Sequence, residues 1–430
     1  MFVYFTRNLP ANPRVSTAQS TSARLNLSYF ISKKISQAES KSFSSTINKI
    51  AIASIAVGLA VMMISFLILD GFRREVKDKI YSFSGHIQVT KYSLDNSMQE
   101  EPVSTNNLLY RQPERFGAVD HVQVFSHKAG LLKTQDEVLG AVIKGISTDF
   151  DSIRFQPNVS RGGFIRFDSS GYSTDVLISQ KIANTLRLDT GDNVRMYFID
   201  PPNNRIRKLH VRGIYDTGIE EFDDQVILGD IGMIQRLNDW PDSLVGGFEV
   251  FVKNNDQVDQ AEIALQDELD YSLFVEKVSD KYVQIFEWLD LINNNVVIFL
   301  VLILFVACFN ITSILLILIM ERTQMIGILK ALGAKNGQIR RIFTYNGLLL
   351  VLKGMLIGNL IGIGFGLLQS HFKIIPLDPE NYYMSFVPIQ WDFLTILLLN
   401  VLTFVVVALV LGIPTIVILR IDPIKAIRFD

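Results

Sequence analysis

The sequence predicts an α-helical membrane protein with four transmembrane helices and a mixed α/β extracytoplasmic domain inserted between helices 1 and 2. Three observations indicate this fold class. Long apolar stretches with at most one charged residue occur once near the N-terminal end and three times in the last third of the chain. An acidic, polar segment, residues 71–290, separates them. The chain of 430 residues is 49% hydrophobic and 20% charged, which excludes a disordered or collagen-like protein.

Each apolar stretch is long enough to cross a bilayer as a helix, because about 20 residues rise roughly 30 Å. The third stretch contains one charge, Lys353, and the fourth contains Pro414 near its end. The single cysteine, Cys308, lies within the second stretch, so no disulfide stabilises the polar middle of the chain. The predicted spans are residues 50–70, 291–320, 348–368 and 393–419.

The distribution of charge predicts the orientation in the membrane. Residues 1–70 sum to about +5, residues 71–290 to about −11 and residues 291–430 to about +4. The connection 321–347 is rich in Lys and Arg and is therefore expected in the cytoplasm, with both termini. Four basic residues just after the first span would by themselves favour the cytoplasm for the segment that follows. The preference of basic residues for the cytoplasm applies to short loops, however, and long domains are translocated largely regardless of it. These four residues are Arg73, Arg74, Lys77 and Lys79.

Residues 71–290 show patterns of both strands and helices. Alternating apolar and polar residues predict strands at four places, and residues 257–269 read as an amphipathic helix. The turn sequence Asp200–Asn204 predicts a protruding hairpin. The strand segments are 86–89, 193–198, 209–212 and 248–252.

The remaining segments lie at the ends of the chain and between the last two spans. Residues 1–24 are rich in Ser, Thr, Asn and Pro, and we expect a disordered tail or sequence that is not translated in the cell. Residues 369–392 form a short outer loop, and residues 420–430 form a cytoplasmic tail.

Residues 321–334 follow the second span directly. A helix here places Met325, Ile328, Leu329 and Leu332 on one face, and Gly333 would end it. This apolar face is expected to be buried against another surface. It could lie on lipid headgroups or on the helical bundle of the same chain. Alternatively, it is a coupling helix seated in a groove of a cytoplasmic partner.

The stretch Glu321–Ala334, with Gln338–Phe343 and Asn346–Leu350, closely resembles the signature of the FtsX-like and MacB-like permease family. The resemblance extends to Asn26–Lys34 before the first span, and residues 25–49 are expected to form a cytoplasmic amphipathic helix. It implies a permease that pairs with a second permease subunit, the same chain or a paralogue, and with two copies of an ABC ATPase. The residues expected to contact the ATPase are Glu321, Arg322, Met325, Gly327, Ile328, Leu329, Lys330, Leu332 and Gly333.

The outer segment Leu377–Pro388 resembles the lipoprotein-releasing (Lol-type) branch of this family. This implies that the protein extracts lipoproteins from the outer leaflet of the bacterial inner membrane and passes them to a periplasmic carrier. The hairpin at residues 200–207 is shorter than in members that dock a carrier. Expected lipid-cavity residues, equally readable as ordinary lipid-facing residues, are Met62, Met63, Phe66, Phe305 and Phe309. The alternatives are a mechanotransmitter that controls a cell-wall hydrolase and a pump for drugs or peptides.

Four glycines in the third span recur at every fourth position, Gly354, Gly358, Gly362 and Gly366. Small residues on one helix face let another helix approach closely in lipid. We expect tight packing within one subunit, with a sliding surface as the alternative. The intramembrane amides Asn310 and Asn400 are expected to join helices.

The chemical motifs that are absent limit the function. No G-x-x-x-x-G-K-[ST] sequence occurs, so ATP and Mg²⁺ are expected to bind the partner ATPase and no cofactor is expected in this chain. Hydrolase and zinc-protease motifs are absent, and the five histidines lack metal-ligand spacing, so the chain is not expected to be an enzyme. The carboxylate run Glu220–Asp224 reads as a solvated loop. No nucleic-acid partner is expected.

Overall fold

The computed structural model describes residues 43–92, 100–168, 171–199, 204–378 and 382–420. These residues divide into two compact units. One contains the described parts of residues 1–60, 302–361 and 397–430, and the other contains those of residues 61–301 and 362–396. The predicted tail 1–24, most of the amphipathic helix 25–49, the cytoplasmic tail beyond Arg420 and the tip of the 200–207 hairpin lie outside the described residues.

The α-helices among the described residues are, in chain order, α1 (Phe43–Ser84), α2 (Leu108–Arg111), α3 (Ser152–Phe155), α4 (Gln180–Leu186), α5 (Glu220–Asp223), α6 (Ile231–Leu237), α7 (Val258–Glu268), α8 (Val278–Lys281), α9 (Val283–Glu321), α10 (Thr323–Ala331), α11 (Asn336–Phe372), α12 (Phe393–Val410) and α13 (Gly412–Thr415). The strands are β1 (Ile87–Lys91), β2 (Val103–Ser104), β3 (Val119–Lys133), β4 (Val138–Ile146), β5 (Val159–Gly162), β6 (Asp175–Ser179), β7 (Asn193–Phe198), β8 (Arg205–Tyr215), β9 (Val226–Asp230), β10 (Leu244–Val245), β11 (Gly247–Val252) and β12 (Leu273–Lys277).

Four helices, α1, α9, α11 and α12, are long and apolar enough to cross a membrane, which confirms the predicted fold class. Two of these helices extend beyond the predicted spans into the polar segment. Helix α1 continues past residue 70 to Ser84, and α9 begins at Val283, before residue 291. Both helices continue through turns that contain charged residues. One face of each turn carries apolar residues, and these pack into the polar domain.

The connection after the second span and the end of the fourth span show further local structure. The predicted connection 321–347 is largely helical, since it contains α10 and the first turns of α11. The fourth apolar stretch is a candidate span over Phe393–Ile418, within which the regular helix α12 ends at Val410, and a 3₁₀ turn, Ile416–Arg420, follows α13. Pro414 accounts for this break because proline has no backbone N–H to continue the helical hydrogen bonds.

The polar domain contains a ten-stranded sheet in the order β12-β1-β11-β3-β4-β9-β6-β8-β5. Strand β7 pairs with both β3 and β8. The six strands β3, β4, β9, β6, β8 and β7 therefore close into a barrel, and its core is filled by residues such as Ile143, Met196, Leu209 and Ile227. The mixed α/β character of the domain is as predicted.

Strand β3 joins this barrel to an open antiparallel sheet. Its first half pairs with β11 and its second half with β4, and the registers meet at Phe125. Helix α7 covers the open sheet, placing Ala261 and Leu265 against Val250 and Val275. The predicted amphipathic helix is this element.

A third apolar cluster forms where the long helices enter the polar domain. Val76 and Ile80 of α1 and Leu289 of α9 pack there with Phe222. Met384, from the outer loop between α11 and α12, is 6% exposed and joins the same cluster. The domain boundary 71–290 is therefore incomplete, because the outer loop supplies part of this core.

The basic residues after the first span have structural partners in this region. Arg73 forms an ion pair with Asp290 at 3.2 Å, and Arg74 lies 3.6 Å from Asp78. The ammonium group of Lys79 donates hydrogen bonds to two backbone carbonyl oxygens. Their contacts within the domain explain why positive charge stands there.

Candidate functional site

Helix α10, the candidate coupling helix, is held by ends of three long segments of the same chain. Ile326 is fully buried in a cluster with Leu318 of α9, Phe343 of α11 and Ile418 of the last 3₁₀ turn. The ammonium group of Lys330 donates a hydrogen bond to the carbonyl oxygen of Ile418 at 2.8 Å. These contacts make α10 a seated element of the bundle.

The outward face of α10 differs from the predicted stripe. Met325 and Leu329 pack against the buried cluster, and Gly327 is buried as well. Ile328 is 46% exposed and Leu332 is 80% exposed. The pattern of apolar residues did not identify the outward half, because the bundle that covers Met325 and Leu329 comes from residues distant in sequence.

The two ends of α10 are defined by backbone geometry. Glu321 is the last residue of α9, and Arg322 connects it to Thr323, the first residue of α10. At the other end Gly333 has φ +90°, a conformation that favours glycine, and its N–H donates to the carbonyl oxygen of Lys330 at 3.0 Å. The helix therefore stops before Ala334.

Basic residues lie at the start of α11. A cavity of about 420 Å³ is lined by Gly337, Arg340, Arg341, Thr344 and Tyr345. The Nε of Arg340 donates to the hydroxyl oxygen of Thr415 at 3.3 Å. This side of the bundle presents guanidinium groups close to the exposed start of a long helix.

Two of the ladder glycines pack against α1 within the first unit. A Cβ atom added to Gly354 would lie 2.8 Å from the Cβ of Ile55. One added to Gly358 would lie 2.8 Å from the carbonyl oxygen of Ala56. These distances are too short for a side chain, so glycine is required for this approach.

The other two ladder glycines pack within the second unit. A Cβ on Gly362 would lie 2.7 Å from the Sδ of Met63, and one on Gly366 would lie 2.8 Å from the ring of Trp391. Gly364, which is off the ladder, has no described heavy atom within 4 Å of such a Cβ. Gly354, Gly358 and Gly362 are therefore closely packed against α1, and Gly366 is packed against the ring of a residue that precedes α12.

Amide side chains join the helices of the first unit. Asn359 of α11 and Asn400 of α12 exchange two hydrogen bonds, at 2.7 and 2.9 Å. Asn310 of α9 donates to the hydroxyl of Ser54 of α1 at 2.8 Å. Paired amides satisfy polar groups that would be costly in hydrocarbon.

The expected lipid-cavity residues do not share one environment. Met62 and Met63 are 2% and 0% exposed, because they pack inside the chain, and Phe66 is half-buried. Phe305 and Phe309 are 69% and 65% exposed. Met62 and Met63 therefore pack internally within this chain, whereas Phe305 and Phe309 are exposed on α9.

The carboxylate run contains one buried member. Asp223 is 6% exposed and accepts hydrogen bonds from the N–H and hydroxyl of Thr217 and from the N–H of Gly218. Burial raises the pKa of Asp223 to about 6. The predicted solvated loop is thus partly a structural turn. Among the described residues no group of three His, Cys, Asp or Glu side chains is placed to hold a metal.

Two rows of side chains lie on the outer face of the barrel, and the sequence did not reveal them. Strand pairing aligns Lys133 with Arg195 and Arg195 with Lys208, so three exposed cations stand in one row. We name these three residues the basic row. No ion pair to them occurs among the residues that the structure describes. Like charges directly opposite each other are destabilising.

The neighbouring row is apolar. The same pairings align Leu131 with Tyr197 and Tyr197 with Ile206. Leu131 is 36% exposed and Ile206 is 51% exposed. The alternation of apolar and polar residues identifies each strand in the sequence. Only the order of the strands in the sheet shows that β3, β7 and β8 lie side by side. Together the rows form an outer surface that is basic on one side and apolar on the other.

Comparison with known proteins identifies both parts of the chain. Residues 50–268 match the MacB-like periplasmic core domain, and residues 297–423 match the FtsX-like permease C-terminal region. The lipoprotein-releasing system transmembrane protein LolE of Haemophilus influenzae is 23% identical over 88% of this chain and 93% of its own length. The LolC protein of Neisseria meningitidis is 23% identical over 81% and 86%. LolC of Xylella fastidiosa is 21% identical over 90% and 95%.

Two solved structures are also similar to part of the chain. The extracellular domain of the ABC-type transporter YknZ covers 44% of this chain at 15% identity, with a TM-score of 0.31 and 99% of its own length matched. The periplasmic region of MacB from Actinobacillus actinomycetemcomitans covers 46% at 13% identity, with a TM-score of 0.33 and 91% of its length matched. The family model of the periplasmic core alone matches more than half of the residues of this chain. The chain therefore belongs to the FtsX-like and MacB-like permease family.

Proposed function

We propose that this chain is the permease subunit of an ABC transporter that extracts lipoproteins from the outer leaflet of the inner membrane for transfer to a periplasmic carrier. The observation that carries the proposal is the extent of similarity to proteins named lipoprotein-releasing system transmembrane proteins, which reaches 81–90% of this chain in three relatives. These relatives do not favour the mechanotransmitter or the efflux pump.

The membrane placement follows from the same observations. The four apolar helices and the matched periplasmic core make the chain a multi-pass inner-membrane protein with a periplasmic domain. Both termini and α10 lie in the cytoplasm in our proposal, because the basic connection 321–347 is expected on that side.

The partner ATPase docks on the outward face of α10. Ile328 and Leu332 supply an apolar contact, while Ile326 and Lys330 fix the helix to the bundle, so that a push on α10 reaches the ends of α9 and α11. Two ATPase copies bind ATP and Mg²⁺ and drive two permease subunits. Phe305 and Phe309, exposed on α9, face the second permease or the acyl chains.

The carrier docks on the outer surface formed by the two rows. The domain of residues 71–290 has a net charge of about −11, and the three cations of the basic row, which have no ion-pair partner among the described residues, favour an acidic partner. The apolar row beside them supplies area that can be desolvated. This surface does not depend on a long hairpin, so a short 200–207 connection is compatible with docking.

A reconstitution experiment tests the function. The chain is purified with its co-migrating proteins, which mass spectrometry identifies, and the complex is placed in liposomes with a fluorescent acylated lipoprotein. We expect an ABC ATPase in the preparation and ATP-dependent release of the acylated protein to an added carrier. A non-acylated version is the matched control. Recovery of a cell-wall hydrolase, or ATP-driven drug export without lipoprotein release, would overturn the proposal.

The docking surface has its own variants. Arg195→Glu is expected to lower release to the carrier at least tenfold while ATP hydrolysis stays within about twofold, because one charge reversal opposes an acidic partner. Arg166→Glu, an exposed arginine outside the basic row, is the control. Equal release by both variants would exclude this surface.

A further inference from the structure

The first long helix ends inside the periplasmic domain on a buried cation. The last carbonyl groups of any α-helix lack partners within the helix. Here the carbonyl oxygen of Phe83 accepts a hydrogen bond from the ammonium group of Lys144, which also lies 4.7 Å from the centre of the Phe83 ring. Gly85, at φ +69°, then turns the chain into β1. Lys144 on β4 therefore holds the end of α1.

The cation is held in turn by a buried carboxylate. The Nζ of Lys144 lies 2.6 Å from the Oε1 of Glu249 on β11, and the side chains are 1% and 0% exposed. Gln123 of β3 donates to the other carboxylate oxygen at 2.8 Å, and Gln88 of β1 donates to Oε1 at 3.2 Å. The carboxylate is thus surrounded by donors from three different strands.

The same chain of contacts continues to the second long helix. The side-chain oxygen of Gln88 accepts a hydrogen bond from the ammonium group of Lys281 at 2.7 Å. Lys281 ends α8, two residues before α9 begins at Val283. Four side chains, Lys144, Glu249, Gln88 and Lys281, therefore connect the last turn of α1 to the entry of α9 through the sheet. We call them the joint.

A buried ion pair is weak evidence for stability, because apolar residues of similar volume are often equally or more stabilising. What a fully bonded polar network fixes is the relative placement of the elements that supply it. Both helices that meet at the joint are candidate membrane spans. A loose joint would let the domain tilt on the ends of α1 and α9.

We propose that the joint is a positioning element that makes the ends of α1 and α9 move with the periplasmic sheet as one body, so that helix movement becomes domain movement. The inference deepens the proposed function and rests on it for the transport step. The rigidity itself does not depend on the substrate.

The test removes the charge and keeps the shape. In the double variant Lys144→Met with Glu249→Gln, the single oxygen of the new amide can still accept from one of the two neighbouring glutamines, but the ammonium on Phe83 is lost. Spin labels on Glu75 of α1 and Tyr271 beside β12, both exposed, report the placement of helix against sheet in the full chain, with Cys308→Ser as background. We expect the distance distribution to broaden at least twofold while the melting temperature is unchanged or higher.

A surface ion pair of the same domain is the matched control. Arg115→Met with Glu268→Gln removes a contact of 2.8 Å on the covering helix α7 and should leave the distribution narrow. In the reconstituted transporter the joint variant is expected to retain basal ATP hydrolysis within twofold and lose at least 90% of release.

The outcomes separate the two claims. A distribution as narrow as wild type would overturn the joint, whatever the substrate proves to be. A broad distribution with normal release would overturn its role in transport. Failure of the wild-type chain to release lipoprotein would count against the proposed function alone, since the spin-label measurement still decides the joint.

Discussion

Lys79 donates a hydrogen bond to the backbone carbonyl oxygen of Tyr383 at 2.5 Å, although the two residues are 304 positions apart. The same ammonium group reaches the carbonyl oxygen of Thr217 at 2.8 Å. Tyr383 has φ +60° and lies directly against Gly218, where an added Cβ would come within 2.9 Å of the Tyr383 carbonyl oxygen. The outer loop between the last two spans is therefore built into the periplasmic domain.

The outer loop should stabilise the domain core. Met384→Ala removes a side chain that is 6% exposed, and truncating a buried methionine costs about 2–5 kcal/mol. We expect faster hydrogen exchange in the peptides that contain Phe222 and Tyr215, measured by mass spectrometry on the full chain. Tyr382→Ala, at a 47% exposed neighbour, should leave exchange unchanged. If both variants behave like wild type, the loop is only an external cover.

The outward face of α10 should carry ATPase binding. Leu332→Asp places a carboxylate in the proposed contact, and burying an unpaired charge costs several kcal/mol, which corresponds to at least 100-fold weaker binding. Its melting temperature should stay near wild type, because Leu332 is 80% exposed. Co-purification of the ATPase and calorimetric melting measure the two effects.

Leu329→Asp is the informative comparison on the same helix. Leu329 packs on the internal cluster, so this variant should lose thermal stability as well as ATPase. Tyr271→Asp, at a fully exposed aromatic of the periplasmic domain, controls for a general effect of added charge. Normal ATPase recovery with Leu332→Asp would favour the interfacial interpretation of α10.

The glycine ladder should rank in a definite order. Gly358→Leu meets a backbone carbonyl oxygen, which cannot move without shifting α1, whereas Gly362→Leu meets the flexible end of Met63. Gly364→Leu meets no described atom within 4 Å. We expect melting temperatures in detergent to fall most for Gly358→Leu, less for Gly362→Leu and little for Gly364→Leu. Any other order would contradict the packing geometry.

The periplasmic domain should lose stability on acidification through His86. Its Nδ1 accepts from the N–H of Val252 at 3.4 Å and its Nε2 lies 2.9 Å from the Oδ1 of Asn255, an arrangement that uses the neutral ring. Burial is the main cause that lowers the pKa of His86 to about 4. An unfolded histidine titrates near 6.5.

The sign follows from these two values. The contribution of His86 is complete above pH 6.5 and is lost as the pH falls from 6.5 to 4, by up to about 3 kcal/mol. We expect the melting temperature of the domain to drop between pH 7.5 and 4.5, and His86→Gln to reduce that drop, measured by scanning calorimetry. An equal drop in both proteins would assign the acid sensitivity to other groups.

The four spans could be predicted from the sequence, because the length of an apolar segment is a local property of the chain. The sequence also showed the glycine ladder, since a four-residue repeat identifies one helix face whatever the partner. The sequence did not show that α1 and α9 continue into the polar segment, because Val76 and Leu289 stand among polar residues and their apolar neighbours come from elsewhere in the chain. For the same reason, the sequence did not show that Leu329 packs against the helical bundle of its own chain.

The sequence by itself determined four membrane helices, an acidic mixed α/β domain between the first two, and an apolar helix after the second. These depend on composition and periodicity within single segments. Only the tertiary structure decided that Lys144 meets Glu249, that Lys133, Arg195 and Lys208 stand in one row, and that Met384 completes the periplasmic core. Such contacts join residues far apart along the chain, so strand order and helix packing, rather than any local pattern, place their side chains together.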